Sequence, residues 1–313
     1  MNELTMTFEQ LRIFLAVAAR SHVTQAASAL NLTQSAVSSA IATLEAQHGV
    51  KLFDRIGRGI VLTEEGRLFL PVAQRVLTEA ETARNALDDL AAEPRGTLRV
   101  FASQTVASYW LPPRLMALHA RHAGLRIALT VGNSTQAAKA VSEGTADLGF
   151  VEGPLPESDL QHQVVARDEL VLVMRDTRSM AGCESFSTDD YRAFTWVLRE
   201  TGSGTRSESE THLSGMGLSV DQLDVALELP SNEAVLAAIA ASDAVSLVSH
   251  RALRHSAFGH VRGHRITWTA PSLRPFAMIT HPHRHRTRAA SALITVISEM
   301  RGDAGSTSEL PRS

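Results

Sequence analysis

The 313-residue sequence predicts an α/β protein in three parts: a small N-terminal winged helix-turn-helix, one long helix, and a C-terminal region of two α/β lobes. Three patterns carry this expectation. Residues 22–66 hold two short helical periods followed by a glycine-flanked hairpin. Residues 69–90 repeat apolar side chains at alternating steps of four and three. From Thr97 onward, short apolar strands alternate with helical segments, the signature of strands covered by helices on both faces.

In chain order, residues 8–20 place Leu11, Phe14, Leu15 and Ala18 on one stripe, a first helix that backs the next two. Ala26, Ala27 and Leu30 face inward from a second helix, and Asn31-Leu32 makes the turn. Thr33 is an N-cap, since its hydroxyl can accept a free N–H at a helix start. In the helix that follows, Val37, Ala40, Ile41 and Leu44 share the inward side, leaving Gln34, Ser35, Ser38 and Ser39 outward. Short hydrogen-bonding side chains, with no carboxylate before Glu45, suit the floor of a DNA major groove. Gln34 and Ser38 are candidate base contacts; Thr33, Ser35 and Ser39 belong to the same surface. Arg55 and Arg58 flank the turn of the hairpin wing, where they can reach phosphates.

Thr63, Glu64 and Glu65 cap and charge a new helix start. Phe69, Ala73, Val76, Ala80, Ala83, Leu87 and Leu90 then form a heptad seam, expected to face a partner chain because no adjacent core is evident. Pro71 predicts a bend near residue 67. Glu93-Pro94-Arg95-Gly96 marks a hinge. The domains read as 1–63 for DNA, 64–93 for dimerisation and 94–303 for ligand, with a disordered polar tail at 304–313. Within the third, strands at 98–102, 126–131 and 146–152 build lobe I (about 97–166 and 270–303). Strands at 169–174, 194–199, 225–229 and 244–248 build lobe II (about 167–269). A mainly parallel sheet is expected.

Composition narrows the class. Hydrophobic residues make up 44% of the chain, no run approaches the ~18 apolar residues of a membrane span, and the N-terminus carries no secretion signal. A cytoplasmic protein with no membrane partner is expected. The single cysteine, Cys183, rules out an internal disulfide and is read as inert. Net charge is 30 − 33 = −3. Even residues 1–65 carry Arg12, Arg20, Lys51, Arg55 and Arg58 against Glu3, Glu9, Glu45, Asp54, Glu64 and Glu65, so DNA binding rests on placement of charge rather than its total.

Ligands of open α/β sheets bind beyond the carboxyl ends of strands. Hydroxyl and glycine residues concentrate there: Ser103-Gln104-Thr105, Gly132-Asn133-Ser134-Thr135, Thr201-Gly202-Ser203-Gly204-Thr205-Arg206 and Ser231-Asn232-Glu233. Gly-Ser-Gly-Thr at a helix start gathers backbone N–H groups toward one point, which favours an anion; simple helix capping is the competing reading. No G-x-S-x-G elbow, H-E-x-x-H or Walker loop is present, and no base is placed beside Ser203, so an enzyme is not expected. His281, His283 and His285 alternate, but Pro282 and the interleaved arginines favour a basic exposed turn over a metal site.

The run A-x-x-L-N-L-T-Q-S-A-V-S-x-x-I-x-x-L-E, then G-V-x-L-F-D-R, then L-T-E-E-G, resembles the winged helix-turn-helix of LysR-type transcriptional regulators. The two α/β lobes resemble the periplasmic-binding-protein-like effector domain of that family. V-G-N-S, D-L-G-F-V-E-G-P, R-E-x-G-S-G-T-R and S-N-E-A-V look like the branch that regulates carbon fixation and sulfur or sulfite assimilation, whose ligands are small anions. The resemblance implies a pocket of Ser103, Thr105, Asn133, Ser134, Ser203, Thr205 and Asn232, to which Thr201 is added from the same glycine-rich segment. It also implies a small anionic co-inducer with no other cofactor, double-stranded operator DNA and RNA polymerase as partners, and a homodimer or homotetramer. Ala241-Ser242-Asp243-Ala244-Val245 departs from the family's glycine-rich A-G-x-G-I turn. The alternative reading is a ligand-independent or architectural DNA binder whose lobes serve assembly alone.

Overall fold

The computed structural model describes residues 6–56, 59–88, 94–153, 159–176, 186–264 and 273–303. Arg58, Cys183 and the tail 304–313, each the subject of an expectation above, lie outside the described residues. The chain forms two compact units, Met1–Leu87 and Asp88–Ser313.

In the first unit, α1 (Phe8–Arg20) starts at a capping box in which Thr7 accepts from the Gln10 N–H and the Gln10 side chain accepts from the Thr7 N–H. It is followed by α2 (Val23–Leu30) and α3 (Gln34–His48), joined through Asn31 in the left-handed region (φ 56°). Strands β1 (Phe53–Ile56) and β2 (Gly59–Leu62) pair antiparallel as the wing. Leu11, Phe14, Val17, Ala26, Val37, Ile41, Leu44, Leu52 and Phe53 form the core.

The helix α4 (Glu64–Asp88) corrects one expectation. The first half of its apolar seam does not wait for a partner chain: Ala73 is fully buried in the core of this unit, with Phe69 and Val76 packed against it. Phe14 and Phe69 meet at 5.0 Å between ring centroids, a contact type worth about 0.5–1.5 kcal/mol beyond area burial. The three short helices leave an open side that α4 closes, which the heptad spacing alone does not reveal. Farther along, Ala83 and Leu87 are exposed. The helix runs through Pro71 unbroken.

The second unit begins with β3 (Gly96–Ser103), α5 (Gln104–Tyr109), α6 (Pro112–Arg121), β4 (Leu125–Gly132), α7 (Ser134–Glu143) and β5 (Leu148–Glu152). Then come β6 (Gln161–Arg175), α8 (Thr188–Ala193), β7 (Thr195–Arg199), α9 (Gly204–Gly215), β8 (Asp224–Leu229), α10 (Asn232–Ala240) and β9 (Ser246–Ser249). The chain ends in α11 (His250–Arg254), β10 (Val261–His264), β11 (Leu273–Thr280) and α12 (Arg288–Asp303).

The sheet is mixed, not mainly parallel. β3 pairs parallel with β4 and β5, and β7 with β8, but β11 runs antiparallel to β5 and to β6, as β6 does to β9 and β10. The reason is connectivity. β6 carries the chain out of the first lobe and β11 carries it back, so the two must oppose each other. The first half of β6 pairs with β11 and the second half with β9 and β10, so one continuous strand belongs to both lobes.

Both faces of each lobe are covered. In the first, Leu98, Val100, Phe150 and Phe276 pack under α5, α6 and α12, while Val151, Ala277 and Ile279 pack on α7. In the second, Val171, Val173, Val197 and Val248 meet α10 and α11, and Leu172, Met174, Trp196 and Leu198 meet α8 and α9. Two-sided burial explains why these strands read as continuous apolar runs. No helix among the described residues is long and apolar enough to cross a membrane.

Candidate functional site

Two surfaces gather the residues singled out above. On the first unit, Thr33 accepts from the Ala36 N–H at 3.2 Å and fixes the start of α3. Gln34, Ser35 and Ser39 are exposed and Ser38 is half-buried, with Val37, Ile41 and Leu44 on the buried side. The only carboxylate of α3, Glu45, is turned to internal use: it accepts from the Leu52 and Phe53 N–H groups at 2.8 and 3.2 Å and ties the wing to the helix. The outer face of α3 therefore presents no negative charge to an approaching phosphate chain. Arg55 is exposed on β1, opposite Ile60 of β2. Gln34, Ser38 and Arg55 line one common notch between helix and wing.

The second surface lies between the lobes, where strand ends and helix starts converge. Ser103 at the end of β3, Thr105 in α5, Ser203 and Thr205 at the start of α9, and Asn232 at the start of α10 are all at most 1% exposed. Asn232 donates through Nδ2 to Gln104 Oε1 (2.6 Å) and to Thr105 Oγ1 (3.0 Å), bringing β8–α10 of one lobe against α5 of the other. Ser203 Oγ and Asn232 Oδ1 are buried without a hydrogen-bond partner among the described residues.

The other predicted residues sit apart from this cluster. Asn133 caps α7 through Oδ1 and reaches the Thr201 carbonyl at 3.4 Å, a contact at the rim. Thr201 itself is exposed. Ser134 donates to the Glu152 carbonyl at 3.0 Å and braces the end of β5.

Sequence reasoning missed the charges at the centre. Glu152, the last residue of β5, is 1% exposed and accepts from the Ser103 hydroxyl. Arg274 of β11, 2% exposed, donates through Nη1 to Thr205 Oγ1 at 2.9 Å and holds Asp168 through Nε and Nη2 at 3.0 and 2.8 Å. The same guanidinium stands 3.9 Å from Glu152. Arg199, at the end of β7, pairs with Glu200 at 2.8 Å and touches Gln104 Oε1 at 3.4 Å. Burial pushes the Glu152 carboxyl above the usual carboxylate range, against the opposing pull of Arg274 and Arg199. Glu152 and Arg199 close their strands and Arg274 lies at the start of its own, whereas Asp168 sits midway along β6; a charged residue ending a fully buried strand such as LGFVE was the available signal.

The glycine-rich segment also has a structural reason. A Cβ at Gly204 would overlap the Glu152 carbonyl, so glycine is what lets α9 approach the end of β5. Gly202, at φ 88°, turns the chain in the left-handed region.

Comparison with known proteins agrees with this architecture. A family model described as "Bacterial regulatory helix-turn-helix protein, lysR family" matches residues 8–67, and one described as "LysR substrate binding domain" matches residues 91–301. The chain is 35% identical over 248 residues to the uncharacterized HTH-type transcriptional regulator YeiE of Escherichia coli strain K12, covering 79% of this chain and 82% of that protein. It is 30% identical over 298 residues to a probable RuBisCO transcriptional regulator of Synechocystis sp., covering 94% and 86%. The crystal structure of full-length CbnR complexed with its target DNA shares the fold, with TM-score 0.70 at 23% identity over 94% of this chain and 99% of that one.

A helix-turn-helix unit followed by a two-lobed α/β domain defines a DNA-binding transcriptional regulator with an effector-binding domain, not an enzyme. This chain belongs to the LysR family.

Proposed function

We propose that the chain is a sequence-specific DNA-binding transcriptional regulator whose activity is switched by a small anionic metabolite held between the two α/β lobes. Residues 1–63 engage operator DNA, with α3 in the major groove, Gln34 and Ser38 on base edges, Ser35, Ser39, Arg55 and Arg58 toward phosphates, and Thr33 on the same DNA-binding surface. Residues 64–93 dimerise through the exposed half of α4, residues 94–303 take the effector, and a dimer of dimers acts on RNA polymerase in the cytoplasm. The observation that carries the effector reading is the buried set of Ser103, Thr105, Ser203, Thr205 and Asn232, drawn from both lobes, with Arg274 donating to Thr205. Ser203 Oγ and Asn232 Oδ1 there lack a partner among the described residues, and buried polar groups left so are costly. Asn133, Ser134 and Thr201 support the rim and floor.

Glu152 sets the terms of entry. Its carboxylate already accepts from Ser103, so an incoming anion must displace it or meet it protonated. Affinity for a small anion then falls as pH rises. The test is a thermal-shift screen of sulfate, phosphate, acetate and malonate at acid and alkaline pH, with each hit repeated on operator DNA. Ser203→Glu should abolish the effector response and leave operator binding intact; loss of both together contradicts separate modules.

One observation favours the alternative of a ligand-independent DNA binder: the cleft's hydroxyls and charges largely satisfy one another. That reading expects no thermal shift with any anion and an unchanged footprint on DNA.

A further inference from the structure

The notch shared by Gln34, Ser38 and Arg55 has a fourth polar wall that the sequence did not single out. His22, the residue preceding α2, lines the same space of about 170 Å³, together with Thr24. Three separate elements thus converge: the entry to α2, the outer face of α3, and the wing. His22 occupies the N-cap position of α2, yet its side chain makes no capping bond. Its Nδ1 is buried and finds no hydrogen-bond partner among the described residues.

The charges around this imidazole are one-sided. From the wing, Arg55 faces the notch; from α3, Gln34 and Ser38 are neutral; α2, with the sequence VTQAASAL, carries no charge at all. Asp54 neighbours Arg55 on β1 but does not line the space, and Glu45 is occupied by the Leu52 and Phe53 N–H groups. Arg20, at the end of α1, donates back to the Ala16 carbonyl. A guanidinium and an imidazole therefore share a cavity among neutral side chains, with no carboxylate lining it among the described residues. Two cationic side-chain types on one small concave surface suit a small anion, on the face where α3 would meet a duplex.

We propose that His22 is a phosphate-binding residue of the DNA surface, clamping one backbone phosphodiester together with Arg55, and that this chain holds duplex DNA more tightly when the imidazole carries a proton. The inference rests on the reading of α3 and the wing as the DNA surface. Histidine is the side chain whose charge ordinarily changes between pH 5 and 8. In a domain whose residues 1–65 carry only five Lys and Arg, one added cation is a large fraction of the attraction to phosphates. The contact is sequence-blind, so it bears on overall affinity and not on which operator is chosen.

The test uses the full chain and a mixed-sequence duplex, with binding followed by fluorescence anisotropy across salt series at about pH 5.5 and about pH 8. For the wild type, affinity should rise several-fold at the acid end, and the slope of log K against log salt should steepen by about 0.9 per protomer. His22→Gln should show the weak, alkaline-type curve at both pH values, and His22→Arg the tight, acid-type curve at both. His48→Gln, which alters the other described histidine of this unit, should keep the wild-type response. A wild-type curve that does not move with pH overturns the proposal, as does His22→Gln retaining the full response. If His22→Gln fails to fold, the wild-type series and His22→Arg decide between them. Failure of the wild type to bind any duplex at low salt would reject the DNA surface itself, a separate outcome.

Discussion

The outer face of α3 and the cleft between the lobes are built from the same residue types and end in opposite states. Gln34, Ser35, Ser38 and Ser39 keep most of their hydrogen-bonding capacity for something outside the chain, held out by a helix whose buried side is Val37, Ile41 and Leu44. Ser103, Thr105, Ser203, Thr205 and Asn232 are sealed from solvent, and all but Ser203 are wired through their side chains to Glu152, Gln104, Arg274 or one another. The difference is one of dielectric surroundings. An exposed hydroxyl costs nothing while it waits, because water satisfies it; a buried one must find a partner in the protein. The first surface can therefore be lost without loss of fold, and the second cannot.

The largest test of that contrast is Arg274→Met. It removes the bidentate partner of Asp168, leaving that buried carboxylate the longer ion pair to the half-exposed Arg251 at 3.6 Å, and takes the 3.9 Å cation away from Glu152; removal of one partner from a buried pair costs about 3–5 kcal/mol. Urea denaturation of the second unit should register this loss. A cost below about 1 kcal/mol would mean the cleft is far wetter than its burial implies.

Glu152→Gln sharpens the same point with the opposite sign. Because burial raises this carboxyl, the folded chain holds more protons than the unfolded one between the ordinary carboxylate range and the raised value. Stability from this group is therefore present at low pH and is lost as pH rises through that window. The glutamine variant should melt several degrees above the wild type at alkaline pH, with the advantage shrinking on acidification. A melting difference independent of pH would sink the assignment.

On α3, by contrast, Gln34→Ala should leave the melting temperature unchanged and cost about 1–3 kcal/mol of discrimination between operator and mismatched sites. Arg55→Ala should weaken all sequences alike and lower the salt slope by about 0.9 per protomer. Equal effects of the two substitutions on specificity would contradict their separate roles. The smallest change is Thr33→Ala, which removes the cap of α3 and should cost about 1 kcal/mol of first-unit stability.

What could be read from the chain divides along similar lines. A helix with a strong local start and stop was legible to the residue: the spacing predicts 8–20, and this is α1. The first half of β6 was not, because Gln161–Val164 is exposed and polar enough to read as loop. The short elements α8, α11 and β10 carry too few residues for a period to show. In the cleft, hydroxyls at strand ends were visible as a pattern, whereas Arg274 and Asp168 lie 106 residues apart and meet only because β6 and β11 pair. Long-range ion pairs leave no local trace.

The fusion of α4 with the first unit has a mechanical consequence. Phe69, Ala73 and Val76 are sunk into the same core as Leu44 of α3, while Leu87 lies three turns farther along one uninterrupted helix. A torque applied near residue 87 meets no loose joint before it reaches the shared core, so twisting the far end of this shaft should reorient Gln34 and its neighbours as one rigid piece. Steering the protein on its target would then require no refolding of the reading head, only a turn of its handle.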